Sequence, residues 1–249
     1  MKNALTLIIP YRKRQLAFYS FYNWLINSSN ESQNLPDIIF IESDKTPSLG
    51  VQEKIEEIGL KYFFIHNDGV FHKTSLLNHG LNLVKTKYLM AYDIDLIPYK
   101  NSLLLHLELA KTAPLFLITG YRLMVQQSFI DHEDNLDLII QQATISPEDQ
   151  PSALKKHLTS HEKFGVLPLF RTEELHKIGG WDENFVGWGG EDQDIIQRYC
   201  QEGYNLCRVP DLVYLHLNHQ HNSDWYSREI INKNREYYYQ KYNHNGSNS

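Results

Sequence analysis

Short apolar runs that alternate with amphipathic stretches set the strongest limit on how this chain folds. "ALTLIIP" is a brief apolar run stopped by Pro10 and reads as a buried strand. "RQLAFYSFYNWLINSS" follows with helical spacing and ends in polar residues. The alternation then continues. "PDIIFIES", "KYFFIHN", "YLMAYDIDLIP" and "LFLITGYRLMV" read as strands. "VQEKIEEIG", closed by Gly59, "TSLLNHGLNLV" and "NSLLLHLELAK" read as helices. Strands alternating with helices predict an α/β fold, built of βαβ units around a mostly parallel central sheet flanked by helices. Ligands of such sheets sit beyond the carboxyl ends of the strands, which is where the acids of "DID" fall.

Further along, "DHEDNLDLIIQQATISPEDQPSALKKH" loosens into polar pieces and is expected to be a surface excursion. "FGVLPLFR" returns to strand, "TEELHKIGG" is a short helix, and "EDQDIIQRYCQEGY" is a helix with acids in its first turn. "LCRVPDLVYLHLNH" gives one or two strands, and "SDWYSREIINKNREYYYQKY" a long polar-aromatic helix. That last helix packs on the body by default; contact with a partner or with a membrane surface are its other readings. No repeat or linker interrupts the pattern, so residues 1–243 are expected to form one domain, with a disordered tail at 244–249.

Composition narrows the partners. The 249 residues are 42% hydrophobic and 22% charged, ordinary values for a chain that buries a substantial core. A net charge of -6 gives no electrostatic reason to expect nucleic acid. No run approaches the ~18 apolar residues of a membrane helix, and the N-terminus lacks the pattern of a signal peptide. Cys200 and Cys207 show no metal or redox spacing and read as inert thiols in a reducing, cytoplasmic compartment.

Three clusters suggest chemistry. Asp93 and Asp95 flank one residue at a strand end, where alternation would put both carboxylates on one face and call for a hard divalent cation. An ordinary solvated strand end is an equal alternative. His216 and His219 follow an apolar run three residues apart and can complete such a site. A mixed histidine–carboxylate set favours Mn²⁺ over Mg²⁺. With 12 histidines in the chain a chance pair is as frequent, and His221 competes. "GGWDENFVGWGGEDQD" sets Trp181 and Trp188 beside acids, which reads as material for gripping a sugar rather than for a core. In it Gly189 and Gly190 permit close backbone approach. Glu191 and Asp192 open a helix, where one can accept sugar hydroxyls and the other remove a proton, or both can merely cap. Arg12 and Arg14 in "IIPYRKR" and Lys73 in "FHKTSLLN" can meet a diphosphate, or can be solvated basic loops.

Taken together, "IIPYRKRQ", "FHKTSLLNHG", "YDIDLIPYK", "GGWDENFVGWGGEDQD" and "HLNH" resemble the β1,4-galactosyltransferase family in order and spacing, from about Leu5 to about Lys233. Related patterns occur in bacterial chondroitin-type polymerases. The resemblance implies a GT-A fold, Rossmann-like, and a metal-dependent inverting transferase with Mn²⁺, or Mg²⁺, as cofactor. It would move a hexose of Gal, GalNAc, Glc or GlcA type from a UDP-sugar donor to an oligosaccharide or lipid-linked acceptor. It would thereby form a β-linkage in a bacterial surface polysaccharide or glycolipid. By the same resemblance Pro10, Tyr11, Arg12 and Arg14 hold the nucleotide, and Phe71 and Lys73 contact the donor. Asp93 lies on the nucleotide-sugar side. Asp95 and His219 bind metal, with His216 standing where vertebrate members carry methionine. Trp188, Gly189, Gly190 and Glu191 bind sugar, and Asp192 is the catalytic base. Lys163 falls near an aromatic position that tunes donor choice in the animal enzymes, and a one-residue shift would put Phe164 there. A retaining transferase and a non-catalytic sugar- or nucleotide-binding module are the rival readings.

Overall fold

The computed structural model of the chain describes residues 1–32, 35–131, 133–152, 155, 159, 162–220 and 226–243. Its first half follows the alternation read from the sequence. Strands β1 (Leu5–Tyr11), β2 (Asp37–Asp44), β3 (Lys61–His66) and β4 (Tyr88–Ala91) lie in the order β3-β2-β1-β4, all parallel. Helices α1 (Gln15–Ser32), α2 (Val51–Glu57) and α3 (Lys73–Leu81) make the crossovers. All seven residues of β1 are buried, as expected of a strand covered on both faces.

Beyond β4 the sheet changes character. It runs on through β8 (Val166–Arg171), β6 (Phe116–Met124), β9 (Asn205–His216) and β5 (Leu96–Pro98). Strand β8 is antiparallel to both β4 and β6, β9 is parallel to β6, and β5 is antiparallel to β9. The sheet is therefore mixed, and the parallel character holds for the β3-β2-β1-β4 half only. An antiparallel neighbour needs no helical crossover. Between β6 and β8 the described residues include the short helix α5 (Leu136–Gln141), the two-residue strand β7 (Thr144–Ile145), a 3₁₀ turn at Pro147–Asp149 and helical residues at 151, 152, 155 and 159. The excursion is tied to the sheet by β7, exposed at both residues, which pairs with the end of β6.

A second departure bears on the site. "YLMAYDIDLIP" is two strands, not one. The Tyr92 N–H still donates to the Ile8 carbonyl at 2.9 Å, but the chain then turns, closed by the Leu96 N–H on the Asp93 carbonyl at 3.1 Å. Strand β5 leaves for β9, and the buried Tyr92 hydroxyl braces the turn by donating to the Leu96 carbonyl at 2.7 Å. Asp93 and Asp95 thus sit on a turn, and strand alternation does not set their directions.

Two cores flank the sheet. One lies under α1 and α4 (Ser102–Thr112), with Phe18, Phe21, Tyr92 and Tyr214. The other lies under α3 and α7 (Glu191–Gln201), with Leu77, Phe170, Ile196 and Tyr199. Between β8 and α7 the short helix α6 (Thr172–Lys177) turns the chain. Trp181 belongs to the second core, only 3% exposed and edge-on to Phe170 at 6.1 Å. The expectation that it grips sugar is therefore corrected. The neighbouring Asp182, its side chain 15% exposed, is compensated by Lys241 at 2.7 Å.

The terminal helix α8 (Arg228–Asn243) packs on the body. Lys241 Nζ reaches Asp182 at 2.7 Å and Asp194 at 2.6 Å, while the Tyr237 and Tyr242 hydroxyls donate to the same two carboxylates. Among the described residues no helix is long and apolar enough to cross a membrane. Cys200 is buried, Cys207 half-buried, and both are free. The tail at 244–249 and His221 lie outside the described residues.

Candidate active site

The antiparallel register of β5 on β9 brings the first two clusters together. Leu96 lies opposite His216, so Asp95 arrives beside the end of β9, and the Leu217 N–H donates to the Asp95 carbonyl at 2.9 Å. His219 Nε2 stands 2.8 Å from Asp95 Oδ2, and His216 Nε2 3.9 Å from Oδ1. One donor atom from each of the three residues lies within 4.8 Å of the others. Burial would raise the Asp95 pKa, but His216, His219 and Arg14 outweigh it and hold the carboxyl well below the usual range. Burial pushes His216 down, against the pull of Asp95, and so favours the neutral imidazole that a metal requires. Its Nδ1 is buried without a hydrogen-bond partner among the described residues. An orphaned ring nitrogen, a second imidazole and an ionised carboxylate fit a divalent cation of the Mn²⁺ type.

Lys73, the first residue of α3, is the hub of the second cluster. Its side chain is 15% exposed, and its ammonium lies 3.0 Å from Asp93, 3.5 Å from Glu191 and 3.8 Å from Asp192. Burial alone would depress the Lys73 pKa; the three carboxylates reverse this and raise it well above normal. Burial, and next the like charge of Asp192, push the Glu191 pKa up to about 7 despite Lys73. Asp192 is more open, its side chain 42% exposed, so it can meet an incoming group.

Both acids are aimed by the turn before α7. Gly190 caps that helix with φ 88°, and a Cβ there would stand 2.7 Å from a Phe185 ring carbon. The Gly189 N–H donates to Glu191 Oε2 at 3.0 Å. Trp188 is 43% exposed with its ring 4.9 Å from that of Tyr226. The backbone around it is pinned from α8, where the buried Asn234 amide donates to the Val186 carbonyl at 3.0 Å and the Trp188 carbonyl at 3.1 Å.

Two adjoining hollows meet here. The first, about 300 Å³, is lined by Asp95, His216, His219, Arg14, Trp188 and Lys73, among others. The second, about 270 Å³, shares Lys73, Asp93, Arg122, Trp188 and Glu191 with it and adds Asp192. The histidine–carboxylate cluster and Asp192 therefore face one cleft.

The remaining sequence-selected residues divide. Pro10, Arg12, Arg14 and Phe71 line the first hollow. Arg12 gives its guanidinium to the backbone carbonyls of Ser43, Gly69 (2.8 Å) and Asn67 (3.1 Å) and lies over Phe71, so it shapes this wall. Arg14 donates to the Gln220 carbonyl at 2.7 Å, tying the β1 loop to the segment after His219. Tyr11 departs from expectation. Its ring is 1% exposed and packs on Phe18 and Phe40, because strand alternation turns it to the core while Pro10 faces the cleft. Of Lys163 and Phe164, Phe164 lines the second hollow. Sequence reasoning missed Arg122, Asn234, Arg235 and Tyr239. Arg122 sits inside an apolar strand and the others on a polar-aromatic helix face, where no motif singles them out.

Comparison with known proteins fits this geometry. Residues 150–220 match the family model described as the N-terminal domain of galactosyltransferase. A 65-residue stretch, 25% of the chain and 17% of its counterpart, is 38% identical to β-1,4-galactosyltransferase 6 of Mus musculus. Over 228 residues, 88% of the chain and 42% of its counterpart, identity to chondroitin sulfate N-acetylgalactosaminyltransferase 1 of Homo sapiens is 22%. The chain thus spans less than half the length of these curated relatives. Among solved structures, the mannosyltransferase PcManGT of Pyrobaculum calidifontis, in complex with GDP-Man and Mn²⁺, superposes with a TM-score of 0.59 at 15% identity, over 88% of this chain and 58% of that one. The catalytic domain of Drosophila β1,4-galactosyltransferase 7, complexed with xylobiose, gives 0.51 at 17% identity, over 89% and 72%. This chain accordingly has the GT-A glycosyltransferase fold, and its residues 150–220 are similar to the N-terminal domain of galactosyltransferase.

Proposed function

We propose that residues 1–243 form a single catalytic domain that transfers a hexose from a UDP-sugar to a saccharide hydroxyl with inversion, giving a β-linkage in a bacterial surface polysaccharide or lipid-linked glycan. The observation that carries this reading is the convergence of Asp95, His216 and His219 with Asp192 on one cleft. Asp95 and the two histidines would hold Mn²⁺, with Mg²⁺ the alternative. When bound, the ion neutralises charge on the departing diphosphate. Arg14 faces the same hollow and adds positive charge from the β1 loop.

The chain's own groups supply the rest. Asp192 accepts the proton of the acceptor hydroxyl as its oxygen attacks the anomeric carbon and the bond to UDP breaks. A single displacement inverts an α-linked donor. Lys73 keeps Asp93, Glu191 and Asp192 together without mutual repulsion. Trp188 offers a ring face to a pyranose, and Glu191 accepts from its hydroxyls. The likeness to galactosyltransferases and to a mannosyltransferase in complex with GDP-Man supports the class; the choice of UDP rests on the galactosyltransferase match. Asp192→Asn tests the mechanism: a folded protein should lose roughly 10²- to 10⁴-fold in transfer rate. Turnover near wild type would remove Asp192 as base. The product's anomeric configuration, read by NMR, separates inversion from retention.

A further inference from the structure

We propose that Asp149, buried in the 3₁₀ turn after β7, is a positioning residue: it holds the Arg122 guanidinium where the two hollows meet, ready for a nucleoside diphosphate. The proposal rests on the transferase reading and adds to it a residue that lines neither hollow. Strand β6 loses its β8 partner after Gly120, and β7 joins it only at Leu123. The Arg122 N–H falls in that gap, and Asp149 Oδ2 accepts it at 3.2 Å. A backbone donor inside the protein needs such a partner. Ser146, which leads into the same turn, accepts from the Arg122 guanidinium on Oγ at 3.3 Å and donates its N–H to the Arg122 carbonyl at 3.3 Å. The chain after β7 therefore grips Arg122 at three points.

One ion pair anchors that grip. Asp149 Oδ1 pairs with Arg208 of β9, and the carboxylate is fully buried. Arg208 and Arg122 both lie against the Phe164 ring, 5.8 and 5.9 Å from its centroid. Burial lowers the Arg208 pKa against the pull of Tyr121, and the charge of Arg122 adds to that depression. Asp149 serves both cations, bonded to the side chain of one and the backbone of the other, so it offsets charge that burial would leave uncovered. Arg122 lines the first hollow with Asp95, His216 and His219, and the second with Asp192. Lys73, the other cation common to both hollows, already meets three carboxylates. A guanidinium fixed at this junction can fork onto phosphate oxygens. The residue that fixes it raises diphosphate affinity by pre-organisation, without a contact of its own.

Calorimetric titration with UDP in the presence of Mn²⁺ tests this without turnover. Arg122→Ala should weaken UDP binding about tenfold, the loss of one charged hydrogen-bonded contact. Asp149→Ala should weaken it by a similar factor. Added to Arg122→Ala, Asp149→Ala should weaken it no further, because the two residues act through one guanidinium. Uridine, which has no phosphate, should bind wild type and both single variants alike, whereas a general loosening of the cleft would weaken uridine as well. Asp149→Asn keeps an acceptor for the Arg122 N–H and loses the charge, so it should fall between wild type and Asp149→Ala. It carries the same comparison if thermal melting shows that Asp149→Ala does not fold. Unchanged UDP affinity in the Asp149 variants, losses that multiply in the double variant, or an equal loss for uridine would overturn the proposal. Failure of the transferase reading looks different: wild-type protein would bind no UDP and release none from any UDP-sugar, and the proposal would fall with it.

Discussion

Lys73 decides how much negative charge the cleft presents, and Glu191 is where that balance is tightest. A buried carboxyl whose pKa rises from 4.5 unfolded to about 7 folded stabilises the fold only while protonated. Its contribution is complete below the unfolded value and is lost as pH climbs through about 7. Glutamine does not titrate. The stability of Glu191→Gln relative to wild type should therefore be higher at pH 8 than at pH 5, by on the order of 2 kcal/mol. Denaturant melts at the two pH values check this, and a constant difference would take Glu191 ionisation out of the balance. Next to it, Gly190→Ala should cost about 1–3 kcal/mol, since φ 88° strains any L-residue and the new methyl meets Phe185. An unchanged melting temperature would show that the turn relaxes freely. The residue scale also shows what a motif can and cannot tell. "WDENFVGWGGED" holds two tryptophans with similar neighbours, yet one is core and the other lines the cleft. What separates them is Phe170, which packs on Trp181 from β8, and Tyr226, which packs on Trp188 beside α8; neither is local in sequence.

At the scale of elements, α8 acts as a clamp on the Trp188 turn. Asn234 is a polar residue buried in a helix, and both its donated bonds go to carbonyls of another segment. Removing them leaves the Val186 and Trp188 carbonyls unsatisfied, so Asn234→Ala should cost about 1–3 kcal/mol. Amide exchange at residues 186–190 should quicken more than in β1. Uniform exchange in variant and wild type would show that the turn holds itself. This clamp was not legible in the sequence, because "INKNREYYY" looks like any polar-aromatic helix until its docking partner is known. The strands were legible, because apolar runs bounded by proline, glycine or charge mark them whatever their partners. The break between β4 and β5 was not. "YLMAYDIDLIP" carries apolar residues on both sides of its two acids and so reads as one strand, whereas Leu96–Pro98 pair with β9 and not with β1. That same break puts Asp95 beside His216, so the two meet through a turn and not through the strand alternation that singled out the acids.

For the whole molecule, the cleft lies on the seam between the parallel half of the sheet and its mixed half. Pro10, Arg12 and Lys73 come from the first half and its α3 crossover. Arg122, His216 and His219 come from β6, β9 and the residues just beyond. Asp95 rides on the turn that links the two. A site assembled from both sides is complete only in the folded chain, so whatever occupies it is coupled to global stability. In the absence of a cation, Asp95 is compensated by His216, His219 and Arg14 alone. A bound ion adds free energy that the unfolded chain, with these ligands far apart, does not recover. Mn²⁺ at a hundred times its Kd should then stabilise the protein by about 2.7 kcal/mol. On the proposed transferase reading UDP should extend the effect, since the ion would neutralise its diphosphate. Thermal melts with Mn²⁺, Mn²⁺ plus UDP, and either followed by EDTA check this. EDTA should return the starting curve, and His219→Ala should abolish the shift, each variant being compared with its own curve without metal. A shift of equal size in His219→Ala would place the ion elsewhere and detach the histidines from the cleft's chemistry.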